Sequence, residues 1–237
     1  MGFFGKLFSG KSTPEGHIDK ARKHEEAGRV DESIAEYRKA LHLDPENSMA
    51  HNNLGVVLYK KGLLEEAAAE YRSAVMCDPE YPAARNNLAR AYEDLGEIDK
   101  AIWEYAEAVR ISPENSVFRS NLGSTYQKKG LNYEAIKQCR EAIELDPANA
   151  NAYNNLGVAL SDKGELDEAI AACRKAVELD PSYAMAHNNL GVAYYKTEQF
   201  EKALESFEAF LEHATPDFEG QIKNAEFIIN SLSKNSQ

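Results

Sequence analysis

The chain has 237 residues, 43% of them hydrophobic and 28% charged, which is the composition of a soluble folded protein rather than a disordered one. Its formal net charge of -12, with no basic stripe, argues against nucleic acid and slightly favours basic partner segments. No run approaches the roughly 20 apolar residues that span a bilayer, and no secretory apolar core with a cleavage site opens the chain, so a cytoplasmic protein is expected.

Residues 1–13 are expected to be a flexible or amphipathic segment. Residues 5–12, GKLFSGKS, match the phosphate-loop pattern GxxxxGK[ST] literally. That loop must follow a buried strand and open a helix in an α/β sheet, whereas only four residues precede this one and helix pairs follow it, so no nucleotide is expected. Phe3, Phe4, Leu7 and Phe8 form a short apolar face with Lys6 and Lys11 nearby. This suits docking on a membrane, on a partner or on the first repeat. Gly2 without Ser or Thr at residue 6 is a poor match to a myristoylation signal.

From residue 14 a 34-residue period governs the chain. Leu54, Leu88, Leu122, Leu156 and Leu190 keep it, as do Ala67, Ala101, Ala135, Ala169 and Ala203, and Pro45, Pro79, Pro113, Pro147 and Pro181. Such a period marks a solenoid, whose small unit buries its apolar face by stacking on copies of itself. Six units fit: 14–47, 48–81, 82–115, 116–149, 150–183 and 184–217. In the fifth, Tyr153, Leu156, Gly157 and Leu160 lie at helical spacing; Gly164 ends that helix, and a second helix from Asp167 carries Ala169, Ile170, Cys173, Ala176 and Val177. Asp180–Pro181 closes the unit. The first unit is degenerate, with Lys20, Ala21 and His24, and the last loses register at Thr215–Pro216. Phe218, Ile222, Ala225 and Ile229 then predict a capping helix over 218–233, followed by a tail at 234–237. Gly55, Gly123, Gly157 and Gly191, with Ala89 in the third unit, let paired helices approach closely.

The order of a large residue, Leu–Gly, an aromatic, Ala, an aromatic, Ala and Pro resembles the tetratricopeptide repeat family. Tyr153, Leu156–Gly157, Ala169, Ala176 and Pro181 carry it, and His187, Leu190–Gly191, Tyr194, Ala203 and Phe207 carry it again. Cys139 and Cys173 replace the second-helix aromatic, and His51, Arg85, Arg119 and His187 take the first large position. The resemblance covers residues 14–217. It implies an all-α, right-handed superhelical solenoid of antiparallel helix pairs whose concave groove, lined mainly by first helices, holds an extended peptide or a partner helix.

One position exceeds what solubility requires. Asn53, Asn87, Asn121, Asn155 and Asn189 recur every 34 residues, and Asn52, Asn86, Asn154 and Asn188 precede four of them. Asparagine is a mediocre helix former, but its side chain both donates and accepts, so it can pair with a backbone amide whatever the side chain beside it. With about 3.3 Å per extended residue, roughly three ligand residues cross each repeat. The row resembles the asparagine ladders of family members that bind extended polypeptides; it also suits a bond to a neighbouring helix. Family members that clamp a C-terminal carboxylate use lysines and arginines with asparagines. Ile18, Arg22, Asn53, Ala83 and Asn87 keep only fragments of that pattern, with Arg90 as a substitute cation. Val56, Val158 and Val192 make the groove partly apolar, and Met49 and Met185 extend those patches.

Trp103 should face the convex surface, one residue after core-facing Ile102. His17, His24, His42 and His213 have no paired Asp or Cys at ligand or triad spacing, while His51 and His187 fill a packing position. The acidic residues suit helix starts and outer faces. Cys77, Cys139 and Cys173 give no disulfide framework, because equivalent points on stacked repeats lie near 10 Å apart, and three free thiols suggest a reducing compartment. No catalytic residue, metal or cofactor is expected. The sequence thus predicts a non-catalytic adaptor that binds a partner polypeptide in its groove, with a self-assembling structural scaffold, peripheral at a membrane, as the alternative.

Overall fold

The computed structural model describes residues 13–235. Thirteen α-helices and one 3-10 turn make up the fold, with no strand among the described residues. They fall into two compact units that divide between Ile111 and Ser112.

The first unit holds three antiparallel pairs: α1 (Pro14–Glu26) with α2 (Val30–Leu43), α3 (Ser48–Lys60) with α4 (Leu64–Cys77), and α5 (Pro82–Asp94) with α6 (Ile98–Ile111). The second holds α7 (Ser116–Lys128) with α8 (Asn132–Leu145), α9 (Ala150–Lys163) with α10 (Leu166–Leu179), and α11 (Ala184–Lys196) with α12 (Phe200–His213). A 3-10 turn at Pro216–Phe218 then leads into α13 (Glu219–Asn235). Within each unit the second helix of one pair packs on the first helix of the next. Each 34-residue window of the sequence holds one pair.

Local chemistry explains the starts and stops. Thr13 Oγ1 accepts from the Gly16 amide at 3.1 Å, and Pro14 occupies the first turn of α1, where no intrahelical donor is needed. Asn47, Asn115 and Asn149 side chains cap α3, α7 and α9 in the same way. The turn inside each pair uses a left-handed residue one period apart: Gly28, Gly62, Gly96, Gly130 and Gly164, with φ between 70° and 88°. In the sixth pair Glu198 takes that conformation, at φ 61°, without the freedom of glycine.

The core is a repeated close approach. Tyr37, Tyr71, Tyr105, Cys139, Cys173 and Phe207 occupy one position of the second helices and are buried to 2% exposure or less. Opposite them stand Ala21, Gly55, Ala89, Gly123, Gly157 and Gly191. A methyl added at Gly55 would meet the Tyr71 ring at 2.7 Å, and one at Gly191 would meet Phe207 at 2.9 Å. Where the large residue is cysteine the helices are equally tight, since a methyl at Gly123 would meet Cys139 Sγ at 2.7 Å. Burial pushes both Cys139 and Cys173 thiols up to about 12, so neither is a nucleophile.

Phe218, Ile222, Ile228 and Ile229 pack with Ala225 onto Phe207, Phe210 and Leu190, so α13 covers the last pair. It begins at Glu219 rather than at 218 and runs to Asn235, so the expected tail starts inside the helix; Phe218 itself closes the 3-10 turn. Similarly, α10 starts at Leu166, one residue ahead of Asp167. The segment carrying Phe3, Phe4, Leu7 and Phe8, and the phosphate-loop match, lie outside the described residues.

Candidate peptide-binding faces on the first helices

The large first position of the repeat forms a row of polar pairs that the sequence reading missed. His17 Nδ1 and Glu36 Oε2 lie 2.6 Å apart, His51 Nδ1 and Glu70 Oε2 also 2.6 Å, and Arg85 donates to Glu104 at 2.8 Å; each partner comes 19 residues later. Arg119 donates at 3.4 Å to Gln138, which stands at the equivalent position, and takes Glu141 as its ion-pair partner. The same side chains bond the linker before their helix: His51 Nε2 lies 3.0 Å from the Pro45 carbonyl, and Arg85 Nε donates to that of Pro79 at 2.9 Å. With acceptors at both ring nitrogens, His51 favours its protonated form, and its pKa is raised, chiefly by Glu70. Lys39 and then His17 hold the Glu36 carboxyl down at about 2. These are structural staples within a pair. Signal for them was present in the sequence, as His or Arg followed by Glu at a spacing of 19.

The asparagine row lies on the first helices, and all five members, Asn53, Asn87, Asn121, Asn155 and Asn189, are half-buried. Three of them brace neighbouring helices. Asn87 Nδ2 donates to Asn52 Oδ1 at 2.9 Å, Asn189 Nδ2 to Asn154 Oδ1 at 2.9 Å, and Asn155 Nδ2 to the Ser120 carbonyl and hydroxyl at 3.3 and 3.2 Å. The preceding residues Asn52, Asn154 and Asn188 are therefore wall rather than surface, at 6–7% exposure, while Asn86 is half-buried. Asn188 Oδ1 is buried without a donor. One period on from Asn189 stands Lys223 of α13, paired with Glu219 at 2.5 Å. Fixing Nδ2 on a neighbour also sets where Oδ1 points, so Asn87, Asn155 and Asn189 are oriented acceptors.

Five predicted residues, Met185 among them, come together in the second unit. Asn154, Asn155, Val158 and Asn189 line a cleft of about 260 Å³ with Ser124, Gln127, Tyr183 and Met185. It is built from α7, α9, α11 and the residue just before α11. Gln127 Nε2 donates to Asp162 at 2.6 Å, which ties that carboxylate beside the cleft. Tyr183 stands against Asn154, and burial, followed by Asp180, raises its hydroxyl pKa. The period would have found Ser124, which takes the place of Val56, Arg90, Val158 and Val192; nothing in the pattern pointed to Tyr183 or Gln127.

In the first unit Asn53 and Val56 line a cleft of about 200 Å³ with Arg22, Glu25 and Tyr37, whose hydroxyl donates to Glu25 at 2.6 Å. Arg90 is exposed, with its guanidinium 4.3 Å from the centre of the Tyr59 ring. Asn87, Asn121 and Val192 line neither cleft. Trp103 is 57% exposed, with Arg85 5.5 Å from its ring centre. Among the described residues no three His, Cys, Asp or Glu side chains are grouped to hold a metal ion, and no described helix is long and apolar enough to cross a membrane.

Models of the tetratricopeptide repeat match residues 18–82, 118–149, 139–171 and 184–216, and a model described as TPR repeat matches 90–130 and 159–198. The chain belongs to the tetratricopeptide repeat family. No curated protein matches it. Among solved structures it is similar to YrrB, described as a TPR protein with an unusual peptide-binding site, at 27% identity over 80% of this chain and 97% of that one, with a TM-score of 0.59. It is also similar to MamA, at 27% identity over 68% of this chain and 94% of that one, with a TM-score of 0.59. A tetratricopeptide repeat protein from Parabacteroides merdae shares the fold at 20% identity and a TM-score of 0.76, over 91% of this chain and 87% of that one.

Proposed function

We propose that this tetratricopeptide protein is a non-catalytic scaffold that holds an extended segment of a partner polypeptide against its first helices. The observation that carries this reading is the cleft of the second unit, where Asn155 and Asn189 have their Nδ2 groups tied to neighbouring helices and keep their Oδ1 atoms as acceptors. Oriented acceptors suit a peptide backbone, whose N–H groups are obligatory donors. The peptide-binding site described for YrrB supports the same reading by family likeness. A photo-crosslinking residue at position 158, compared with one at the exposed position 103, tests it in extract of the source cell. Adducts at 158 and not at 103 are expected; adducts confined to 103 would move binding to the second helices.

Self-association is a second reading, favoured by Phe227, which is 71% exposed on α13 beside half-buried Ile228 and Ile229. Sedimentation across a concentration series tests it, with Phe227→Ser expected to lower any oligomer formed. Phe3, Phe4, Leu7 and Phe8 belong to the same functional picture as a contact for a membrane surface or a partner, tested by liposome co-sedimentation with and without residues 1–12. The three free thiols support a cytoplasmic setting.

A further inference from the structure

We propose that the cleft of the second unit selects an uncharged stretch of extended polypeptide and seats an aliphatic side chain on Val158 and Met185. This rests on the peptide-binding reading above and narrows it to one ligand class.

All eight lining residues are uncharged: three asparagines with Ser124, Gln127, Val158, Tyr183 and Met185. In a chain with 28% charged residues and a net charge of -12, such a surface is a local exception. The cleft of the first unit, by contrast, places Arg22 and Glu25 among its walls. Two ionised groups beside the second cleft are of opposite sign and hydrogen-bond to neutral side chains. Asp162 accepts from Gln127 at 2.6 Å, and Lys196 Nζ donates to Ser161 at 2.9 Å. A ligand carboxylate or ammonium seated here would shed water and meet no opposite charge among the eight lining residues, a loss that amide contacts do not make good.

Polarity sets the conformation. A helix satisfies its own backbone N–H groups, whereas an extended segment leaves them as donors for the asparagine oxygens. The Oδ1 atoms of Asn155 and Asn189 come from first helices one repeat apart, roughly three extended residues at a helix-packing distance near 10 Å. In an extended chain of polyproline type, with three residues per turn, N–H groups three apart face the same side, so both oxygens accept from one segment. Between them Val158 offers a branched apolar wall, and Met185 an adaptable one that adjusts to Val, Leu or Ile.

The test uses acetylated, amidated heptapeptide pools passed over immobilised full-length protein. One pool is randomised among uncharged residues at its three central positions; two others carry one Asp or one Lys there. The uncharged pool should be retained at least about tenfold over both charged pools, a difference of about 1.4 kcal/mol. Val158→Lys should shift retention toward the Asp pool, and Met185→Lys, on a different helix, should do the same if the first variant folds poorly by circular dichroism. Preference of the wild type for a charged pool would overturn the ligand class and leave peptide binding standing. Selection unchanged in both folded variants would place the peptide elsewhere and overturn the proposal. Retention of no pool above a blank surface would overturn the peptide-binding reading as well.

Discussion

Gly123→Ala sets two opposing terms against each other in one substitution. In an exposed helix interior, alanine is favoured over glycine by about 0.8–1.0 kcal/mol, so propensity alone predicts stabilisation. At this site the new Cβ would stand 2.7 Å from Cys139 Sγ and 3.2 Å from the Ala135 carbonyl oxygen. Non-bonded heavy atoms are comfortable near 3.5–4.0 Å, so α7 and α8 must part by about 1 Å. Overpacking of that kind costs about 1–3 kcal/mol, which outweighs propensity and leaves a net loss of up to about 2 kcal/mol. Cys139→Ala removes the obstructing sulfur and on its own leaves a small cavity. The double variant should recover stability, with a coupling of about 1–2 kcal/mol between the two sites. Urea titrations followed by circular dichroism at 222 nm give the midpoints for all four proteins. A higher midpoint for Gly123→Ala in the Cys139 background would refute the close-approach argument, and with it the explanation of why the repeat carries glycine there.

The other predictions concern single positions. Glu198→Gly removes a left-handed non-glycine residue, and should raise the thermal midpoint by the equivalent of about 1 kcal/mol. The His51 pKa is raised in the folded state, so its pair with Glu70 stabilises below the ordinary value of 6.5 and is lost as pH rises through the raised value. The urea midpoint of the wild type should therefore fall between pH 6 and 9, and that of His51→Gln should fall less. Arg85→Met strands Glu104 at 7% exposure and should cost about 3–5 kcal/mol in denaturant titrations. Adding Glu104→Leu should return most of that loss, because the apolar pair leaves no orphaned charge.

Much of the architecture was legible because a period is a strong signal. The 34-residue spacing placed helix pairs and turns without any propensity scale, the stripe of Phe218, Ile222, Ala225 and Ile229 placed the capping helix, and small residues such as Gly123 marked the helix crossings. The degenerate first unit was harder to read. Lys20 and His24 broke the pattern, yet α1 and α2 pair because Ile18, Ala21, Ile34 and Tyr37 still supply an apolar seam. Side-chain partners were less visible than backbone. His17 was weighed only against Asp and Cys and His51 was read as a packing residue, and their glutamates lie on the second helix, beyond the span of a short motif. The asparagines carried two signals in one residue type. Spacing could not tell Asn154, which is wall, from Asn155, which lines the cleft with one hand tied to Ser120, because adjacent helical residues point about 100° apart and the sequence shows only that both are polar.

The unanswered oxygen of Asn188 gives the array a polarity. Within each unit a later first helix donates to an earlier one, Asn87 to Asn52 and Asn189 to Asn154, so α3 and α9 each offer an acceptor to the next first helix. At the C-terminal end that offer stands open, for Asn188 Oδ1 is buried without a donor. At the other end α1 has Ile18 and Asp19 in place of the asparagine pair, and offers its successor no amide. Lengthening by duplication is therefore a one-way operation: a second copy of residues 184–217 placed before α13 would find a partner atom already waiting, whereas one placed ahead of α1 would meet none.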